Sequence, residues 1–129
     1  MRNAIMATTT VAITAAGILL SAPASAAPKI GPDGAGVMHA PCGTVGPLRD
    51  GVIVVPASAG GVVNERSGSS VNCPIRGALQ PNDDAQYYCY TLADDDTTWT
   101  YLRNMRTGEI GWSRDDLLRD GGSLYWCGF

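Results

Sequence analysis

Between residues 99 and 118 (WTYLRNMRTGEIGWSRDDLL) apolar and aromatic positions gather on both sides of Thr107 and Gly108. That pattern predicts two short strands joined by a tight turn, closed by Leu117 and Leu118 as a compact polar corner. Upstream, residues 85–92 (AQYYCYTL) set three tyrosines around a cysteine, a composition that favours strand over helix. A period of two puts Gln86, Tyr88, Tyr90 and Leu92 on one face of that strand and Tyr87, Cys89 and Thr91 on the other. Residues 52–55 (VIVV) are a β-branched run that predicts a short buried strand ended by Pro56. Residues 57–61 are a loop. Residues 61–79 begin with an apolar pair, cross a Ser/Gly-rich turn and resume at Cys73-Pro74-Ile75, where Pro74 biases Cys73 to an extended backbone. Residues 80–84 (QPNDD) form a turn cluster, 94–98 the next connection, and 119–129 a tail in which Tyr125 and Trp126 precede Cys127. With no long amphipathic period and no repeat, the fold class is all-β with short strands, a small barrel or a pair of packed sheets.

The N-terminal pattern differs in kind. Residues 1–26 have the three-part form of a secretory signal: Arg2, an apolar stretch over 4–20, and the small-residue site Ala24-Ser25-Ala26. Thr8, Thr9, Thr10 and Thr14 weaken the stretch as a membrane span, and no basic stop-transfer flank follows Leu20. A secreted chain starting near Ala27 is expected, free of the membrane and about 103 of the 129 residues long. Residues 27–40 (APKIGPDGAGVMHA) show neither period and predict a flexible leader. A domain of this size has a modest core and gains from staples. All four cysteines, Cys42, Cys73, Cys89 and Cys127, lie in the exported part, and an even count there predicts a disulfide framework.

Charge and chemistry narrow the function. Twelve acidic against nine basic residues give a net charge of −3, with Lys29 the only lysine. The arginines are scattered, so the basic patch that nucleic acid requires is missing. A cysteine peptidase needs a free thiolate beside a histidine, and a zinc hydrolase needs several histidines, whereas His39 is the only one. Asp94, Asp95, Asp96, Asp115 and Asp116 are the candidates for a glycosidase pair. Adjacent aspartates on turns stay solvated and ionised, and no D-x-D-x-D-G calcium loop is present. A non-catalytic protein with no metal or cofactor is expected.

Four pieces carry a family resemblance. VVNERSGSS (62–70) is similar to the N-x-R-S-G opening of bacterial SH3-like (SH3b) domains, and PIRGAL (74–79) to their P-x-x-G-x-L strand. WTYL (99–102) resembles the W-x-x-V strand and TGEIGWS (107–113) the T-G-x-x-G-W-V hairpin. Order and spacing agree over residues 61–118. The departures are Glu65 where the family usually has an apolar residue, Ser69 where it often has proline, and Ser113 where valine is common. The resemblance implies a small SH3-like β-barrel over residues 41–129, with Leu79, Leu102, Ile110 and Leu118 in its core and with an N-terminal extension and a C-terminal tail tied on by disulfides. On an SH3-like trace Cys73 and Cys89 fall on neighbouring strands, leaving Cys42 with Cys127; the sequence itself leaves the other two pairings open.

Such barrels present ligands to flat rings, which implies an aromatic surface of Tyr88, Tyr90, Trp99, Tyr101 and Trp112. In so small a barrel, core packing is an equal reading for each ring. Trp99 borders the acidic loop and is the stronger ligand candidate; Trp112, beside Gly111, is the stronger packing candidate. The function expected is a secreted monomeric module that binds cell-wall peptide or another extended peptide. The alternative is a small disulfide-stabilised inhibitor or interaction factor directed at a secreted or surface protein.

Overall fold

The structure is a computed structural model, and it describes residues 39–129. The signal sequence and residues 27–38 of the expected leader lie outside the described residues. Six strands are formed: β1 (Ile53–Val54), β2 (Val63–Arg66), β3 (Ile75–Leu79), β4 (Ala85–Leu92), β5 (Thr98–Asn104) and β6 (Ile110–Arg114). They make one antiparallel sheet in the order β1-β4-β5-β6-β2-β3, curled into a half-barrel, with a single 3₁₀ turn at Asp115–Leu117 and no α-helix among the described residues.

The β5–β6 hairpin forms where the pattern places it, in register from Trp99↔Arg114 to Arg103↔Ile110. Its turn is built from side chain and backbone together. Asn104 Oδ1 accepts from the amides of Arg106 (2.9 Å) and Thr107 (3.3 Å), and Gly108 takes the positive φ of +76° that a Cβ would penalise. Strand β4 spans the residues expected of it, but its alternation breaks. A bulge between Tyr87 and Cys89 shifts the phase, so Tyr87 packs with Ala85 and Leu102 while Cys89 packs with Tyr101 and Trp112. The expected strand at 52–55 is a two-residue edge strand, with Val55 65% exposed and only Val54 packed inward. An edge position covers one face at most, which is why the apolar run is not buried.

Two cores result, one on each face of the sheet. Leu79 of β3 and Ala85 and Tyr87 of β4 have three strands between them in sheet order yet meet in one cluster with Val63, Leu102 and Leu118. That meeting defines the concave side. On the outer face lie Cys89, Trp99, Tyr101 and Trp112, with Ile110 half-buried against them rather than in the concave core where it was expected.

Among the described residues no helix covers the outer face; residues 40–51 and the C-terminal tail do. Residues 40–51 form a strap. Ala40, expected to be leader, is buried, its amide 2.8 Å from Ser69 Oγ and its carbonyl accepting the Ser69 amide at 2.9 Å. Gly68 permits that approach, since a Cβ there would lie 2.7 Å from the carbonyls of Ala40 and Pro41. The strap and the tail also cover the free edge of β4. Arg49, Asp50 and Gly51 donate to the carbonyls of Tyr88 and Tyr87, and the tail exchanges Tyr90 N–H to Tyr125 and Cys127 N–H to Tyr90.

The disulfides follow this path and correct the pairing taken from the resemblance. Cys42 bonds Cys73, and Cys89 bonds Cys127. Cys73 precedes β3 and Cys89 lies on β4, two strands separated by β5, β6 and β2, so they cannot meet across neighbouring strands. The strap crosses beside Cys73 and the tail beside Cys89. Two disulfides fit an oxidising, extracellular setting, and no helix among the described residues is long and apolar enough to cross a membrane.

Closing loops of 31 and 38 residues is worth about 4 kcal/mol each by loop entropy. Paired Cys→Ser variants, Cys42 with Cys73 and Cys89 with Cys127, are each expected to lose roughly 2 to 4 kcal/mol in urea unfolding. A loss below about 1 kcal/mol from either pair would show that the corresponding end is held by its packing alone.

Candidate functional site

The rings expected to form a surface lie mostly in one stripe on the outer face, and the strap and tail sit on top of it. Trp112 is buried, its Nε1 donating to the Thr44 carbonyl at 2.8 Å, with Tyr101 4.9 Å away and Phe129 6.3 Å away between ring centroids. Tyr88 stands edge-on to Tyr101 at 5.6 Å, and Tyr90 edge-on to Trp126 of the tail at 5.4 Å. Tyr90, Trp99, Tyr101 and Trp112 are all buried, and Tyr88 is half-buried. The five rings therefore do not form an exposed patch. Their apolar area is spent on fastening the chain's own ends, a term that a trace of the barrel alone does not contain.

What the strap and tail leave open is a cleft across Trp99. Two hollows adjoin there, sharing Trp99 and Val71. One, of about 220 Å³, is lined by Ser69, Ser70 and Asn72 of the β2–β3 loop and by Ala93, Asp94 and Asp95 of the β4–β5 turn. The other, of about 180 Å³, is lined by Asn64, Arg66, Arg114 and Leu117. Alternation explains the lining: Asn64 and Arg66 on β2, Arg114 on β6 and Trp99 on β5 all project to the outer face.

Each wall is fixed by local bonds. Arg66 Nη1 donates to the carbonyls of Val71 (2.9 Å) and Cys73 (3.0 Å), and the Ser67 amide donates to the Pro74 carbonyl at 3.0 Å, which folds the β2–β3 loop back on β2. The opposite wall is the turn at 93–97, where Ala93 N–H donates to Thr97 O at 2.8 Å and Asp96 takes a φ of +62°. A side-chain relay ties this turn to the floor. Trp99 Nε1 donates to Thr97 Oγ1 at 3.0 Å, and that hydroxyl donates to Asp95 Oδ1 at 2.5 Å. The hydroxyl and amide of Thr97 hold the Asp95 carboxyl below its usual range, so it stays ionised. Asp94 is 76% exposed and pairs with His39 Nδ1 at 3.1 Å, while Arg114 forks onto Asp116.

Trp99 was the residue singled out for ligand contact, and it floors the cleft, but at 2% exposure it offers little more than a ring edge. Val71, Arg66, Arg114 and Leu117 were not singled out. Arg66 stands inside the N-x-R-S-G piece and was available to be noticed; Val71 carries no local signal. Among the described residues all cysteines are paired, and no group of three or more His, Cys, Asp or Glu is placed to hold a metal ion. The chain matches no protein-family model, no curated protein and no solved structure.

Directly beneath the cleft, on the concave side of β2, Glu65 is fully buried and neither carboxyl oxygen has a hydrogen-bond partner. Gly77 makes room for it, since a Cβ at Gly77 would lie 2.8 Å from Glu65 Oε2 and 2.8 Å from Glu109 Cγ. Burial, reinforced by the charges of Glu109 and Asp83 and opposed by Asn104 and Arg106, pushes the Glu65 carboxyl from its ordinary 4.5 to about 7. Asp83 moves the other way. Its bond to Arg106 (2.6 Å), aided by the Gln80 amide and by Asn104, holds it at about 2.

The folded state therefore binds the Glu65 proton more tightly than the unfolded state does. Its effect is a loss of stability as pH rises from about 4.5 to about 7, up to roughly 3 kcal/mol. The Asp83 contribution is lost only as pH falls from 3.8 through about 2. Urea unfolding of the wild type is expected to show greater stability at pH 5 than at pH 8, and Glu65→Gln to remove most of that difference. A wild type equally stable at both values would contradict an unpaired buried carboxyl.

Proposed function

We propose that the protein is a secreted, non-catalytic module of the SH3-like kind that binds an extended peptide, such as a cell-wall stem or cross-bridge peptide, in the cleft across Trp99. The observation that carries this reading is the pair of hollows meeting at Trp99 and Val71 between two loops. An open, elongated depression suits a chain lying across it better than a compact metabolite, which calls for a deeper enclosure of about 300 Å³ or more. Val71 (58% exposed) and Leu117 (43%) supply apolar contact at the rim. The Cys42–Cys73 bridge lies at the end of the loop that forms one wall, so part of the cost of ordering that wall is met before the ligand arrives. The cleft carboxylate with a resolved tendency, Asp95, is held ionised, the opposite of what a general acid requires.

A Trp99→Ala variant would be a poor probe, because Trp99 is core as well as floor. Val71→Asp changes an exposed residue and keeps the fold. Calorimetric titration with soluble wall peptides, together with retention on purified wall, is expected to show binding that Val71→Asp weakens by about tenfold or more with little change in Tm. Wild-type and Val71→Asp protein retained equally would overturn the cleft reading. Indifference to wall and peptide, with a stoichiometric complex to one secreted protein, would favour the inhibitor instead.

A further inference from the structure

Resting on the peptide reading, we infer that the cleft is electrically polarised along its length and selects a short peptide bearing a side-chain amine close to a free C-terminal carboxylate, with the amine at Asp94 and Asp95 and the carboxylate at Arg66 and Arg114. The two hollows differ in charge while sharing their apolar middle. Among the described residues the first is lined by two carboxylates and no arginine or lysine, and the second by two guanidinium groups and no carboxylate. Between them Val71 and Trp99 offer apolar surface only.

The partners of these groups decide how much charge each end presents. Asp95 accepts from Thr97, bonds that fix its ionised form without cancelling its charge, with the charge of Arg114 a smaller influence from across the cleft. Asp94 has only His39 beside it and is largely in solvent, so an incoming ammonium can bind with little desolvation. At the other end Arg114 is matched by Asp116, but Arg66 spends one nitrogen on two neutral carbonyls and, among the described residues, has no carboxylate against it. Arg66 therefore provides the net positive charge of that hollow and the fork a carboxylate prefers.

Size limits the ligand further. Hollows of about 220 and 180 Å³ leave room for only a few residues of an extended chain. The amine-bearing residue then sits one or two positions before the free C-terminus. That is the chemistry of an uncross-linked wall stem peptide, and a cross-linked one would lack it at the amine, the carboxylate or both.

Four forms of an N-acetylated Ala-Lys-Ala-Ala peptide test the inference by calorimetry at low salt: unmodified, Nε-acetylated, C-amidated, and doubly modified. The unmodified form is expected to bind best, each single modification to weaken binding by fivefold or more, and Asp94→Asn to abolish the sensitivity to Nε-acetylation while keeping the sensitivity to amidation. Four forms binding within twofold of one another would overturn the polarity while leaving the cleft as the site. Asp94→Asn that removes the sensitivity to amidation instead would reverse the direction and overturn the assignment. If no form binds although wall retention still depends on Val71, the polarity falls alone; if that retention is also absent, the cleft reading falls with it.

Discussion

The indole N–H of Trp112, buried and donating to the carbonyl of Thr44, is the contact on which the rest of the arrangement depends. A curled sheet closes its concave face on itself, but its outer face needs a cover, and the described residues provide no helix to serve as one. A large ring on that face carries a polar atom that cannot be buried without an acceptor. Residues 40–51 supply it. Once Thr44 is held over Trp112, Gly46 follows where any side chain would collide, a Cβ there lying 2.8 Å from Tyr101 Cβ and 2.9 Å from Cys89 Sγ. Phe129 meets the same indole from the tail, so sheet, strap and tail share one aromatic junction.

The cleft is the remainder of that covering. The strap approaches from the side of the β2–β3 loop and is bonded to it through Ala40–Ser69 and Cys42–Cys73, while the tail is fixed along β4 through Cys89–Cys127 and through Thr91 Oγ1 donating to Phe129 O at 2.8 Å. Neither reaches the strip over Trp99. Its walls are two loops whose geometry is set by Arg66 and Thr97, each spending a polar group on its own loop. One wall moves with the strap, so the shape of the cleft and the integrity of the N-terminal cover are linked through Cys73.

Elements governed by local rules were legible in the sequence, and those governed by contacts between distant segments were not. The hairpin could be read because Asn104, Thr107 and Gly108 encode its turn, and β4 because its composition excludes most alternatives. The bulge after Tyr87 left no mark in the sequence, and with it went the assignment of faces. The β-branched run at 52–55 looked like core because composition does not say which strand lies at an edge. The pairing of the cysteines was taken from a barrel without a strap, and the strap is what brings Cys42 to Cys73. Ala40 shows the same gap from the other side: nothing in a Gly/Pro-rich segment announces that its last residue docks against Ser69. The candidate cleft was half legible. Trp99 was singled out and does floor it, and the acids at 94 and 95 are exposed as read, but their place on its wall was not read and Val71 was not noticed.

Glu65 bears on the proposal that the cleft binds rather than reacts. Its position was conspicuous in the sequence as an acid where the related pattern is apolar, and a buried, unpaired carboxyl pushed to about 7 is the state in which a carboxylic acid can exchange protons near neutrality. Proton transfer in a cleft needs such a group in reach of the ligand beside a second one that stays ionised. Both kinds are present, but strand alternation puts them on opposite faces of the sheet. Glu65 points into the concave core, packed against Gly77 and Glu109, while its neighbours Asn64 and Arg66 and the ionised Asp95 face the cleft. The sheet itself separates Glu65 from the cleft, where the carboxylate with a resolved tendency, Asp95, is held ionised. The cost of burying Glu65 falls on the stability of the fold around β2.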